Sequence, residues 1–107
     1  MNGEIKEIVA CGLSEGEISR LKAKHGELTL ISIEGGNEFI FKKPDMSTIS
    51  AAVAVGKDDP MAFNVILFNN CLVAGDRDAV EDASVMLSVS PHLGKLLEEK
   101  KAIVKKL

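Results

Sequence analysis

The residue types able to do chemistry in this chain are two histidines, two cysteines and one cluster of acids. His25 and His92 would have to serve as general bases or metal ligands, yet neither has a cysteine, serine or carboxylate at a useful spacing. Cys71 and His92 would make a nucleophile and base only if the fold brought them together, and a structural role is the better expectation. Cys11 and Cys71 have no Cys-x-x-Cys spacing and no histidine beside them. Two buried free thiols in a reducing compartment are expected, not a disulfide or a metal site. Asp76, Asp78, Glu81 and Asp82 lack the alternating ligands, turn glycine and closing glutamate of a calcium loop. They read as solvated loop acids, some of them capping helices. Gly35-Gly36 is not followed by a helix and fails the context test for a phosphate loop. We therefore expect no catalytic centre, no cofactor and no bound metal.

Two polar pairs need separate weighing. Lys42-Lys43 stands between a strand-like "FIF" and Pro44-Asp45. Pro44 ends a strand by withholding a backbone donor, and Asp45 offsets the lysine charge locally, so the joint reads as a hinge and not as a phosphate site. Asn69-Asn70 interrupts an apolar run. One amide is expected to face solvent and the other to bond the backbone of the adjoining hairpin or loop.

The elements that would position these residues follow from composition and pattern. At 107 residues, 46% hydrophobic and 27% charged, the chain has the size and balance of one folded domain, 1–107, with residues 1–12 as a possible loose arm. It has four phenylalanines and no tryptophan or tyrosine, so its core must be mainly aliphatic and it offers little for stacking single-stranded nucleic acid. The net charge of −3 argues against a sequence-independent DNA binder. Charge is uneven: residues 1–41 carry four Lys/Arg against seven Asp/Glu, and residues 95–107 carry five Lys against two Glu. No apolar run approaches the ~20 residues of a membrane span, and no basic-then-apolar signal opens the chain, which leads us to expect a cytoplasmic protein.

Along the chain, "MNGEIKEIVACG" is ambiguous between a short strand and a helical arm. Ser14 and Glu17 have capping-box spacing, Ile18, Leu21 and His25 share a face, and Gly26 supplies a stop, which predicts a short amphipathic helix. Two β-rich runs around Gly35-Gly36-Asn37 predict a hairpin whose apolar side must rest on helices. Phe39 and Phe41 are expected to point inward. Asp45 or Ser47 caps a helix through about Val55, stopped at Gly56. Asp58 and Asp59 with Pro60 open the next, "PMAFNVILFNNCLV", which is apolar nearly all round and expected to be buried on most sides. After Gly75-Asp76 comes an acidic loop with a helical turn near Ala83–Leu87. Ser90-Pro91 then opens a last helix in which Leu93, Leu96, Leu97, Lys100, Ile103, Val104 and Leu107 recur near heptad spacing. The expected fold is α+β, one β-hairpin packed against a bundle of about four helices.

Taken in order, "LKAKHGELTLISIEGGNEFIFKKPDMSTISAAVA", "DDPMAFNVILFNNCLVAGD" and "LSVSPHLGKLLEEKKAIVKKL" resemble small phage and prophage proteins of the tail assembly chaperone type. The resemblance covers about residues 19–107; Phe39, Phe41 and Pro44 match the family's strand-to-helix joint. It implies a non-enzymatic protein that binds the tape-measure protein during tail building and is absent from the finished tail, some members having frameshift-extended forms. The last helix is where such a client would bind. Beyond Lys100 a small domain has little core left to cover it, which points to Lys100, Lys101, Val104, Lys105 and Leu107 as an apolar surface rimmed with positive charge. The alternative is a bacterial cytoplasmic adaptor forming a homodimer through that helix. An enzyme built on Cys71 or His92 ranks third.

Overall fold

The computed structural model describes residues 8–97 and 101–107. It opens with a two-stranded antiparallel ribbon, β1 (Ile8–Ala10) and β2 (Leu13–Ser14), joined by Cys11 and Gly12 at φ 52° and 73°. Two successive positive φ values are what a tight two-residue hairpin turn requires. The ambiguous opening segment is thus a strand from Ile8 onward; residues 1–7 lie outside the described region. A cysteine in the left-handed region is unusual, and Glu38 holds it there. The Cys11 amide donates to Glu38 Oε1 at 3.2 Å and the thiol to the Glu38 carbonyl at 3.3 Å.

Helix α1 (Glu15–His25) starts on the expected capping box, Ser14 and Glu17 exchanging bonds, and stops at Gly26 with φ 83°. Ile18, Leu21 and His25 are half-buried and no residue of α1 is fully buried. The hairpin follows as β3 (Leu28–Ser32) and β4 (Glu38–Lys42), in register from Leu28↔Lys42 to Ser32↔Glu38. Its turn is closed by Ile33 N–H to Asn37 O at 2.8 Å, with Gly35 at φ 71°.

Asp45 caps α2 (Met46–Gly56) and Asp59 caps α3 (Pro60–Cys71), as the acid-plus-proline signals predict. The run expected to be helical through Val73 then changes type. Leu72 turns extended, and β5 (Leu72–Ala74) joins the other side of β4, making a three-stranded antiparallel sheet in the order β3-β4-β5. Three apolar residues carry no readable period, so the pairing partner decides. Gly75 ends β5 at φ 120°, with its backbone against β4: a Cβ there would lie 2.8 Å from the Glu38 carbonyl oxygen.

The second half corrects the expected last helix. A 3₁₀ turn (Arg77–Glu81) leads to α4 (Ala83–Leu93), so the helix begins at the acidic loop and Pro91 lies in its last turn instead of opening it. Asp82 fixes that start, accepting from the Ser84 and Val85 amides at 2.9 and 3.4 Å. Met86, Val89, Leu93 and Leu96 recur at helical spacing across Pro91, and burying that row outweighs the proline signal. After Leu93 the chain tightens into a 3₁₀ turn (Gly94–Leu96); residues 101–107 form no helix.

The core lies between one face of the sheet and the helices α3 and α4. Phe39 and Phe41 do point inward, fully buried against Phe68, with ring centroids 5.2 and 5.5 Å from it in edge-on contact. Ile31, Ala52, Leu67, Cys71, Val89 and Leu93 belong to the same cluster, with Leu72, Ala79, Met86 and Leu96 at its margins. Ile40 points to the opposite face and is also buried, in a small pocket shared with Ala10, Ile18 and Leu30. The α+β expectation holds, with the hairpin extended by a third strand. Helix α3 is less enclosed than expected: Leu67, Phe68 and Cys71 are buried, while its first half is partly exposed.

Candidate protein-binding surface

The residues expected to receive a client do not form a helical stripe. Lys101, Val104, Lys105 and Leu107 lie in segment 101–107, which is fully exposed and without regular secondary structure; Lys100 lies outside the described residues. Leu93 and Leu96 fill the core and Leu97 is half-buried, so the apolar row of α4 is consumed internally before it reaches that segment. Ile103 and Val104 nonetheless stand in solvent, Val104 at 97% exposure.

A second apolar surface was not read from the sequence. Helices α2 and α3 form a helical hairpin, and α2 meets the core with Ala52 alone among its fully buried residues. Its run Ala51-Ala52-Val53-Ala54-Val55 carries apolar residues around more than one face. Packing covers one side, leaving Met46, Val53 and Val55 exposed, with Met61 of α3 partly so. Gly56 lets the two helices close, since a Cβ there would lie 2.9 Å from the Phe63 Cβ. Beside that contact is a shallow depression of about 500 Å³ bounded by Val53, Lys57, Pro60 and Phe63. An unbroken apolar run longer than one helical face was the available signal. Met46 and Val53 flank one side of the Ala52 face and Val55 the other, so of these only Val53 borders the depression. An exposed apolar residue beside such a depression is a feature of protein interaction sites.

The residues with chemical potential are dispersed. Cys71 is buried in the core, where desolvation pushes its thiol up to about 11. Cys11 is only half-buried, correcting the expectation of two buried thiols; desolvation and then the Glu38 carboxylate raise its pKa. His92 is exposed on the last turn of α4, and no hydrogen bond joins it to Cys71. Asp76 accepts from the Asp78 amide and Asp82 caps α4, so two of the four clustered acids hold backbone. Among the described residues, no group of three or more His, Cys, Asp or Glu is placed to hold a metal ion.

The Lys42-Lys43 joint is a connector whose charge is engaged. Lys43 Nζ lies 2.9 Å from Glu27 Oε2, and that bond holds the Glu27 carboxyl below its usual value. Asp45 is depressed too, first by the Thr48 amide at 2.8 Å and then by the Ser47 hydroxyl. Both asparagines of the Asn69-Asn70 pair are exposed, and the Asn70 amide bonds the Ile66 carbonyl of its own helix at 2.9 Å, not the hairpin or loop backbone. Arg77 donates to the backbone carbonyls of Asn69 and Leu72 instead, tying the end of α3 to the following turn. Among the described residues no helix is long and apolar enough to cross a membrane. No family model, no curated protein and no solved structure matches this chain.

Proposed function

We propose that the chain is a phage- or prophage-derived tail assembly chaperone, a non-enzymatic module that holds an apolar helical client such as a tape-measure protein in the bacterial host cytoplasm. Nucleic acid, membrane, metal and cofactor take no part in this reading. The observation that carries it is the depression between α2 and α3, where the exposed Val53 and the stem of Lys57 stand beside Pro60 and Phe63. An amphipathic client helix laid across such a surface would bury apolar residues at one-turn intervals. The exposed Ile103, Val104 and Leu107, flanked by Lys101 and Lys105, supply a second apolar contact with a basic rim. The pattern shared with tail assembly chaperones supports the same reading from the sequence. A homodimeric adaptor using the last helix loses support, because residues 101–107 hold none.

The test is retention of a tape-measure fragment by three proteins: the parent, a chain cut after Glu99, and the pair Val53→Glu with Lys57→Glu. The parent should hold the fragment, and the charged pair should lose it while keeping its fold. Partial loss on truncation would assign a share to segment 101–107. Full retention by both altered proteins, or none by the parent, overturns the proposal.

A further inference from the structure

One edge of the three-stranded sheet, the outer side of β3, is five residues long and furnished with side chains. Among the described residues strand β3 pairs only with β4, and the Ile33–Asn37 bond fixes which of its residues bond inward. Counting back in the antiparallel alternation, Thr29 and Ile31 exchange bonds with β4, while Leu28, Leu30 and Ser32 direct N–H and C=O outward. No other described residue bonds those outward groups. Natural sheets usually blunt such an edge with charge, proline or a bulge; β3 itself has none of these, and Leu30 on it is 48% exposed.

Beside this edge, on the core side of the sheet, the end of α4 and the turn after it bring up His92 and Lys95. Together with Thr29–Ser32 they line a groove of about 240 Å³. A strand added to β3 would send alternate side chains into that groove, against a lysine and an imidazole. The others would fall beside Leu28 and Leu30 on the opposite face. Acidic residues suit the first set and apolar residues the second.

We propose that β3 is a docking edge for an extended segment of a partner protein in which acidic and apolar residues alternate, captured by β-augmentation and selected by Lys95 and His92. Main-chain bonds to Leu28, Leu30 and Ser32 would supply affinity and the two side-chain rows specificity. A second copy of this chain fits less well. Pairing β3 with itself about a two-fold axis normal to the sheet would keep both α4 helices on one face and bring Lys95 of each copy toward the same junction. This inference is independent of the α2–α3 surface and survives or fails separately from it.

The probe is a synthetic eight-residue peptide of alternating glutamate and valine, with a lysine–valine peptide as its charge-reversed control. Amide exchange by NMR on the parent protein reads the edge directly. The Leu28, Leu30 and Ser32 amides should exchange quickly in the free protein and become protected on adding the acidic peptide, whereas Thr29 and Ile31 are protected throughout. Lys95→Glu should weaken binding about tenfold and shift preference toward the basic peptide. Leu30→Pro removes one outward donor without touching the β3–β4 ladder and should weaken binding by about the same factor. Unchanged exchange at the three amides, or equal binding of both peptides, refutes the proposal. So does self-association of the parent through β3 without peptide binding, which would make the second copy the occupant.

Discussion

Phe68 is where the sheet and the helices meet, and replacing it isolates how much that contact supports the fold. Its ring is fully buried and contacts both Phe39 and Phe41 edge-on, at interplanar angles of 69° and 71°. Truncating such a ring to alanine removes its transfer energy and leaves a cavity between rigid elements, about 3–5 kcal/mol in all. A domain of this size has only about 5–15 kcal/mol to lose, so Phe68→Ala should be barely folded at 37 °C. Thermal melting by circular dichroism should fall by roughly 12–40 °C, at about 4–8 °C per kcal/mol. A gentler pair separates ring geometry from volume. Phe68→Leu and Phe39→Leu keep most of the apolar bulk, and their double-mutant cycle in urea should give a coupling of about 0.5–1.5 kcal/mol. A Phe68→Ala protein melting within a few degrees of the parent would show that α3 does not pack on the hairpin as described. A coupling near zero would remove the edge-on ring contacts from the account while leaving burial intact.

Other expectations follow from single contacts. Gly75→Ala introduces a Cβ 2.8 Å from the Glu38 carbonyl at φ 120°, and urea denaturation should show a loss of about 1–3 kcal/mol. Asp82→Ala removes the cap that starts α4 and should cost about 0.5–2 kcal/mol, whereas a helix opening at Ser90 would leave this substitution nearly silent. The Cys71 thiol, raised from 9.0 to about 11, should resist alkylation at pH 8 in the folded protein while Cys11 reacts sooner. Because the folded state holds this proton more tightly, the contribution of Cys71 to stability is fully present below about pH 9 and is lost as pH rises through 11; Cys71→Ala should flatten that stretch of a stability–pH curve.

Local signals read true because their causes are local. The Ser14–Glu17 box, Gly26, the Gly35 turn, and the Asp45 and Asp59-Pro60 starts each depend on bonds or torsions within four residues. The misreadings fall where distant partners decide. Leu72–Ala74 is a strand because β4 offers an edge, and α4 runs through Pro91 because Met86, Val89 and Leu93 find the core. Both candidate surfaces depend on which faces remain uncovered after packing. The apolar run 51–55 signals that α2 has more apolar residues than one face can bury, but which of them stay exposed, like the exposure of Leu30, is decided by their neighbours.

The junction at Cys71–Leu72, where helix becomes strand with no intervening loop, sets an order of events during folding. Strands β3 and β4 can pair as soon as both exist, because a short turn closes them within about a microsecond-scale step. Strand β5 has no such freedom: it lies on the far side of two helices, and closing the span from Lys42 to Leu72 carries the entropy of about thirty residues. Docking α3 on the phenylalanines brings β5 to its place with no further search, since the last helical residue and the first strand residue are neighbours. The third strand therefore arrives as a consequence of helix docking. On a ribosome, a nascent chain stopped before residue 60 would expose an unfinished sheet, and completion of α3 would be the event that closes it.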